Sequence, residues 1–235
     1  MNITTVLFDL DGTLLPMDQA VFAKAYFTAL ATELAPHGYE FQPTVEGIWA
    51  CTRAMMKNTG EENNETVFWR NFAALLGDRV YTDRPIFDKF YAEKFDGIAA
   101  SCGHDPRAAE VIRRVKAKGL RAVLATNPIF PAVATQKRMA WAGLDPHDFA
   151  LYTTYENSRR CKPNPDYYRD IVNTLGVAPE ACVMVGNDVG EDMVARQLGM
   201  QVFLLTDCLI NRKEEDISSY PRGGFDELLA FIDAL

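Results

Sequence analysis

The chain has 235 residues, 48% hydrophobic and 24% charged, ordinary values for a folded globular protein that argue against wholesale disorder. Its formal net charge of −8 argues against a nucleic-acid-binding surface and against attachment to an anionic membrane, and leaves small anionic substrates open where positive groups are concentrated. Five scattered cysteines, odd in number and without a Cys-x-x-Cys pair, fit a reducing cytoplasm, and no signal peptide or membrane span is read in the sequence.

The first element lies in Thr4-Thr5-Val6-Leu7-Phe8-Asp9-Leu10-Asp11-Gly12-Thr13. Val6 to Phe8 have the β-branched and aromatic types of a central strand buried on both faces, and Gly12 permits a tight turn after it. Asp9 and Asp11 project to the same side of the extended chain. Their charges repel unless a cation or a shared proton lies between them, and a divalent cation is the simplest resolution. Magnesium suits such a corner, because it takes oxygen ligands from few carboxylates and from a phosphate oxygen. The competing reading is a turn with good Asx chemistry.

From Leu14 to about Gly103 the chain reads as helical, with no convincing strand. Phe22, Tyr26, Ala29 and Leu30 recur at helical spacing, as do Phe68, Phe72 and Leu75, and Phe87, Phe90, Tyr91 and Phe95 mark another helix. Pro36-His37-Gly38, Thr59-Gly60 and Gly77-Asp78 separate the pieces. This is the outline of a small helical unit inserted after a single strand, most of its aromatics forming its core. Met17, Phe22, Trp49 and Arg53 are candidates to face the carboxylates across a cleft. The linkers Leu14 to Asp18 and Gly97 to Gly103 are its expected hinges.

Beyond Gly103 helices and strands alternate. Asp105-Pro106 opens a helix, Ile112 and Val115 line its inner face, and Gly119 ends it. Arg121 to Ala125 is a short strand ending at Thr126-Asn127-Pro128. Such a strand-to-helix junction forms an anion cradle, unless Thr126 merely caps the helix from about Pro131 to Trp141. Phe149 to Thr153 is the next strand. Lys162-Pro163-Asn164-Pro165 then leads into a helix ending at Gly176, in a loop able to return the Lys162 ammonium to the Asp9 corner. Cys161 lies between Arg160 and Lys162, but one thiol beside basic residues is more often incidental than catalytic. Ala181 to Val185 is a fourth buried strand running into Gly186-Asn187-Asp188-Val189-Gly190-Glu191-Asp192. Asp188 and Asp192 would share a face of a helix reaching about Leu198, where N-capping would account for the same acids. Gln201 to Leu205 is a fifth strand, Asn211 to Gly224 a surface loop, and Phe225 to Leu235 a final helix.

Four strand ends in order thus carry Asp-x-Asp, Thr-Asn, Lys, and Gly-Asn-Asp with Asp192, and ligands of open parallel sheets bind at such carboxyl ends. In these motifs, their order and their spacing the chain closely resembles the phosphatases of the haloacid dehalogenase superfamily, over essentially its whole length. The resemblance implies an α/β fold with a Rossmann-like parallel sheet in the order 3-2-1-4-5. Residues 1–14 and 104–235 would be the catalytic core and residues 15–103 a helical cap; the stretch from Asn127 to Lys162 is too short for a second cap. Asp9 would be the nucleophile that forms an aspartyl-phosphate, and Asp11 the general acid and base, with its main-chain carbonyl on magnesium. Thr126 with the Asn127 backbone would hold the phosphoryl oxygens, and Lys162 would neutralise both Asp9 and the transferring group. The family's fourth motif commonly has Asp directly after the glycine, whereas here Asn187 stands there and Asp188 follows. Asp9, Asp11, Asp188 and Asn187 are therefore the expected metal set, with Asp192 orienting Lys162 or the metal site. The resulting expectation is a cytoplasmic Mg2+-dependent phosphatase of a small phosphorylated metabolite. A phosphomutase of the same superfamily or a non-catalytic phosphate- or metal-binding protein is the alternative. A haloacid dehalogenase proper lacks the second Asp of the first motif, so Asp11 counts against it.

Overall fold

In the computed structural model, which describes residues 2–235, the first strand β1 (Thr5–Phe8) is buried along its whole length. It pairs in parallel with β2 (Arg121–Leu124) on one side and β4 (Cys182–Gly186) on the other. β3 (Leu151–Tyr152) continues the sheet beyond β2, and β5 (Gln201–Leu205) continues it beyond β4. A two-residue strand β6 (Arg222–Gly223) pairs with β5 and completes the order β3-β2-β1-β4-β5-β6. The expected order 3-2-1-4-5 is therefore present, extended by a strand inside what the sequence reads as a surface loop. That strand lacks the apolar run that marks a strand, which is why composition conceals it. The expected third strand, Phe149 to Thr153, shortens to two residues, with a 3-10 turn over Pro146–Asp148 before it.

Side chains alternate across the sheet. Val6 and Phe8 join the apolar cluster that holds α5 (Arg107–Ala117) and α8 (Phe225–Ala234), while Leu7 joins the opposite one, built on α7 (Pro165–Leu175). Covering both faces explains why the inner strands carry consecutive apolar residues, such as Val6 to Phe8, rather than alternate ones.

Between β1 and α5 lie α1 (Gln19–Leu34), α2 (Phe41–Met56), α3 (Asn64–Leu76) and α4 (Arg79–Lys89), followed by a π turn and a 3-10 stretch to Ser101. The anticipated breaks fall at their ends: Gly38 and Gly77 terminate a helical segment each. Leu75 departs from its expected inward place and is 55% exposed, because the buried side of α3 runs through Val67, Trp69, Phe72 and Ala73. The two linkers to this helical segment lie against one another, with an antiparallel bridge between Met17 and Cys102 and the Gly103 N–H donating to Pro16 O at 2.7 Å. The segment shares an apolar cluster with the sheet: Phe22, Tyr26 and Phe95 all pack around Phe130, just before α6 (Ala132–Trp141). Among the described residues no helix is long and apolar enough to cross a membrane.

Candidate active site

β1, β2 and β4 end side by side, so the residues just past them meet. Asp9 makes the last ladder bond of β1, its N–H donating to Val185 O at 2.9 Å, and its carboxylate is buried immediately beyond. Lys162, completely buried in the loop before α7, donates to Asp9 Oδ1 at 2.8 Å and to Asp192 Oδ1 at 2.6 Å. Thr13 Oγ1 stands 3.0 Å from Asp9 Oδ2 and 3.0 Å from Asn187 Oδ1, its single proton serving one of them at a time. The Asp9 carboxylate is thus fixed in orientation through both oxygens. Burial pulls the Lys162 pKa down, but the charges of Asp192 and Asp9 outweigh it and hold the ammonium protonated well above the usual lysine range. Burial pushes the Asp192 carboxyl up, against the pull of that ammonium.

Asp11 turns the other way, its Oδ2 paired with the guanidinium of Arg138 on α6, while its Oδ1 is buried without a partner. Burial raises the Asp11 pKa, with Arg138 acting against it and Asp9 reinforcing it. Arg138 is itself wholly buried and lies over the ring of Phe130, 4.5 Å from its centroid.

At the end of β2 the main-chain carbonyl of Thr126 accepts from Thr153 Oγ1 at 2.7 Å and from the Tyr167 hydroxyl at 2.8 Å, which pins the junction from behind. The side chain of Asn127 donates to Glu191 Oε2 at 3.0 Å, and its Oδ1 is buried without a partner. Past β4 the anticipated helix does not run on from Asp188; turns come first, then a 3-10 helix over Met193–Leu198. Asp188 and Asp192 come together differently from two residues on one helix face. Asp192 Oδ2 accepts the Asp188 N–H at 2.9 Å, and Asp188 Oδ1 accepts the N–H groups of Gly190 and Glu191 at 2.8 and 3.0 Å. Asp188 Oδ2 pairs with Arg212 at 2.5 Å. Asn187 is committed at both ends of its amide, its Nδ2 donating to Cys208 O at 2.7 Å.

Two glycines make this packing possible. Gly12 has φ +86°, and a Cβ there would lie 2.3 Å from Asn187 Nδ2. At Gly186 a Cβ would lie 2.1 Å from Asp192 Oδ2, so the side chain that orients Lys162 occupies the space a larger residue would need.

Asp9, Asp11, Thr126, Asn127, Asn187, Asp188 and Asp192 all line one cavity of about 480 Å³, and Lys162 meets Asp9 from behind its wall. Of the helical-segment candidates Met17, Phe22 and Trp49 line it, whereas Arg53 is exposed and does not. Cys161 is buried beside Asn64, and burial pushes its thiol up to about 12, which agrees with a non-nucleophilic role. Among the described residues no three His, Cys, Asp or Glu side chains form a ready metal cluster. The groups that could hold a cation are instead the Asp9 and Asp188 carboxylates from adjacent strand ends, with main-chain oxygen, Asp188 Oδ2 then exchanging its Arg212 partner for the cation. All are hard oxygen donors, and the partnerless Asp11 Oδ1 and Asn127 Oδ1 add acceptor capacity on the same wall, so the set fits magnesium rather than a soft metal.

Thr13, Arg138, Glu191 and Arg212 were not among the residues assigned roles from the sequence. Arg138 did carry a signal, because it stands among Ala134, Thr135 and Met139 on the inward side of its helix, where a charge needs a buried partner. Arg212 sits in the stretch read as a surface loop and had none.

The family model for haloacid dehalogenase-like hydrolases matches residues 3–199. Protein CbbY of Rhodobacter capsulatus is 25% identical over 206 residues, covering 87% of this chain and 86% of its own. Phosphoglycolate phosphatase of Escherichia coli O157:H7 is 25% identical over 209 residues, 84% of this chain and 79% of its own. The crystal structure of a HAD phosphatase from Thermococcus onnurineus superimposes with a TM-score of 0.60 at 17% identity, over 98% of each chain.

Proposed function

The chain belongs to the haloacid dehalogenase-like hydrolases, and from that membership we propose that it is a magnesium-dependent phosphatase of a small phosphorylated metabolite, working through Asp9. The observation that carries the reading is the Lys162 ammonium, 2.8 Å from Asp9 Oδ1 and backed by Asp192, at the closed end of a cavity that Asp11 and Thr126 also line. That arrangement aims a carboxylate while supplying positive charge where a phosphoryl group would gather negative charge.

In the proposed reaction an Asp9 oxygen attacks phosphorus, the bond from phosphorus to the ester oxygen breaks, and Asp11 gives its proton to the departing alkoxide. Water, losing its proton to Asp11, then attacks the aspartyl-phosphate, and the bond from phosphorus to Asp9 breaks. The raised pKa of Asp11 suits a group that must carry a proton first and accept one later. Thr126 and the Asn127 N–H are assigned to the phosphoryl oxygens. Magnesium is assigned to Asp9, the Asp11 main-chain carbonyl and Asp188; Asn187, committed to Thr13 and Cys208, is assigned the positioning of that corner. When bound, the cation neutralises charge on the phosphoryl oxygens.

With this goes the division into a core of residues 1–14 and 104–235 and a cap of residues 15–103, swinging on the paired linkers that meet at Met17 and Cys102. Five free cysteines accord with a reducing cytoplasm. The test is phosphate release from an aryl phosphate by wild type and by Asp9→Asn, each with magnesium and with chelator. Magnesium-dependent release that disappears in the variant is expected; equal release by the variant sinks the assignment.

A further inference from the structure

The far end of the cavity differs sharply from the catalytic end. Its walls are Phe22, Phe27, Trp49, Phe68 and Tyr91 from the helical segment, faced by Phe130 before α6. Arg212 is the one cationic side chain lining the cavity among the described residues, and it lies at the acidic end, paired with Asp188 and reaching Gln19 Oε1 at 3.2 Å. Arg53 is turned to solvent, and Arg138 is closed off completely beneath Phe130. Polar groups on the apolar walls are few and partly used: the Tyr26 and Tyr91 hydroxyls bond each other at 2.7 Å, which leaves one proton between them, Thr52 donates to Ile48 O at 2.9 Å, and Tyr155 adds one more hydroxyl. Trp69 Nε1, buried without a partner, can serve at most one acceptor. Trp49 and Met56, which line the cavity and are 44% and 38% exposed, give it an apolar rim as well.

Resting on the phosphatase reading, the geometry points to a narrower substrate class: monophosphate esters of uncharged, apolar alcohols with an aromatic or compact hydrocarbon body. The phosphoryl group occupies the Asp9 end, and the hydrocarbon fills the aromatic end. A substrate with a carboxylate beyond the ester oxygen would place that charge against aromatic faces, with no free cation to receive it and with acidic residues at the other end. A polyhydroxylated alcohol would lose its water and find too few partners.

The experiment compares kcat/KM, with magnesium, for phenethyl phosphate, phosphoglycolate and glycerol 3-phosphate, all esters of primary alcohols. Phenethyl phosphate is expected to lead the other two by roughly a hundredfold, the discrimination that a pocket gains from unpaired polar groups and apolar fit together. Trp49→Lys, at an exposed wall position, should narrow its lead over phosphoglycolate by at least about tenfold. Phosphate release that is strongest for phosphoglycolate or glycerol phosphate, or a ratio unmoved by Trp49→Lys, overturns the substrate class and leaves the phosphatase reading standing. No release from any of the three by folded protein overturns both.

Discussion

Asp11 and Arg138 form a charged pair that neither residue can leave cheaply, since Arg138 is wholly buried and its charge has no route to water. Removing one partner strands the other, at a cost of about 3–5 kcal/mol for a buried pair. Asp11→Asn should therefore lower stability by that order, since the buried guanidinium cannot shed its charge, and adding Arg138→Met to it should restore much of the loss, because no stranded charge remains. Urea unfolding of the wild type, both single variants and the double variant measures this; strictly additive losses would show that the two charges are not coupled. The contrast with Asp9 shows what was legible at this scale. The convergence of Asp9, Asp11, Thr126, Lys162 and Asp188 could be read because each follows an apolar strand or a turn signal in linear sequence. Arg138 and Thr13 act through partners distant in the chain or through a hydroxyl any turn might carry, and linear spacing encodes neither.

At the level of elements, the stability of the site depends on close approaches that glycine allows and on one helix end. Gly186→Ala would drive a Cβ into Asp192 and displace the carboxylate that Lys162 and the Asp188 N–H both use. A loss of about 3–5 kcal/mol is expected, on the scale of a broken buried ion pair, and thermal or urea unfolding reads it. α3 supplies the second case. Its first free N–H groups, at Asn64 and Glu65, donate to Ser158 O and Tyr155 O at 2.8 Å each, and the Asn64 side chain reaches Pro128 O at 3.2 Å. The unsatisfied donors of a helix start are thus used to fasten the helical segment to the loops beside the site. Asn64→Ala should speed hydrogen exchange at the Asn64 and Glu65 amides well beyond that of the α3 interior; unchanged protection would mean the fastening lies elsewhere. The helices and their breaks were legible from period and punctuation. This fastening was not, because it joins one helix end to a loop nearly a hundred positions later.

Taken as a whole molecule, the sheet order was legible from the alternation of strands and helices together with the resemblance, while β6 was hidden by its two polar-looking residues. That order has a consequence for how the protein is made. β1 precedes every other strand of the sheet, yet Thr5 settles between Arg121 and Cys182, so its second neighbour emerges only about 180 residues after it. At about 5–20 residues per second, Val6, Leu7 and Phe8 spend roughly 10–35 seconds as an apolar strand with an open edge, a template for pairing with other chains. The helices between β1 and α5 have mainly local contacts and can form during that wait. Nascent chains arrested before Cys182 should accordingly be captured by holdase chaperones through β1, and lose that binding once β4 is available. The position that places Asp9 at the centre of the sheet thus makes its strand the one that biosynthesis leaves exposed longest.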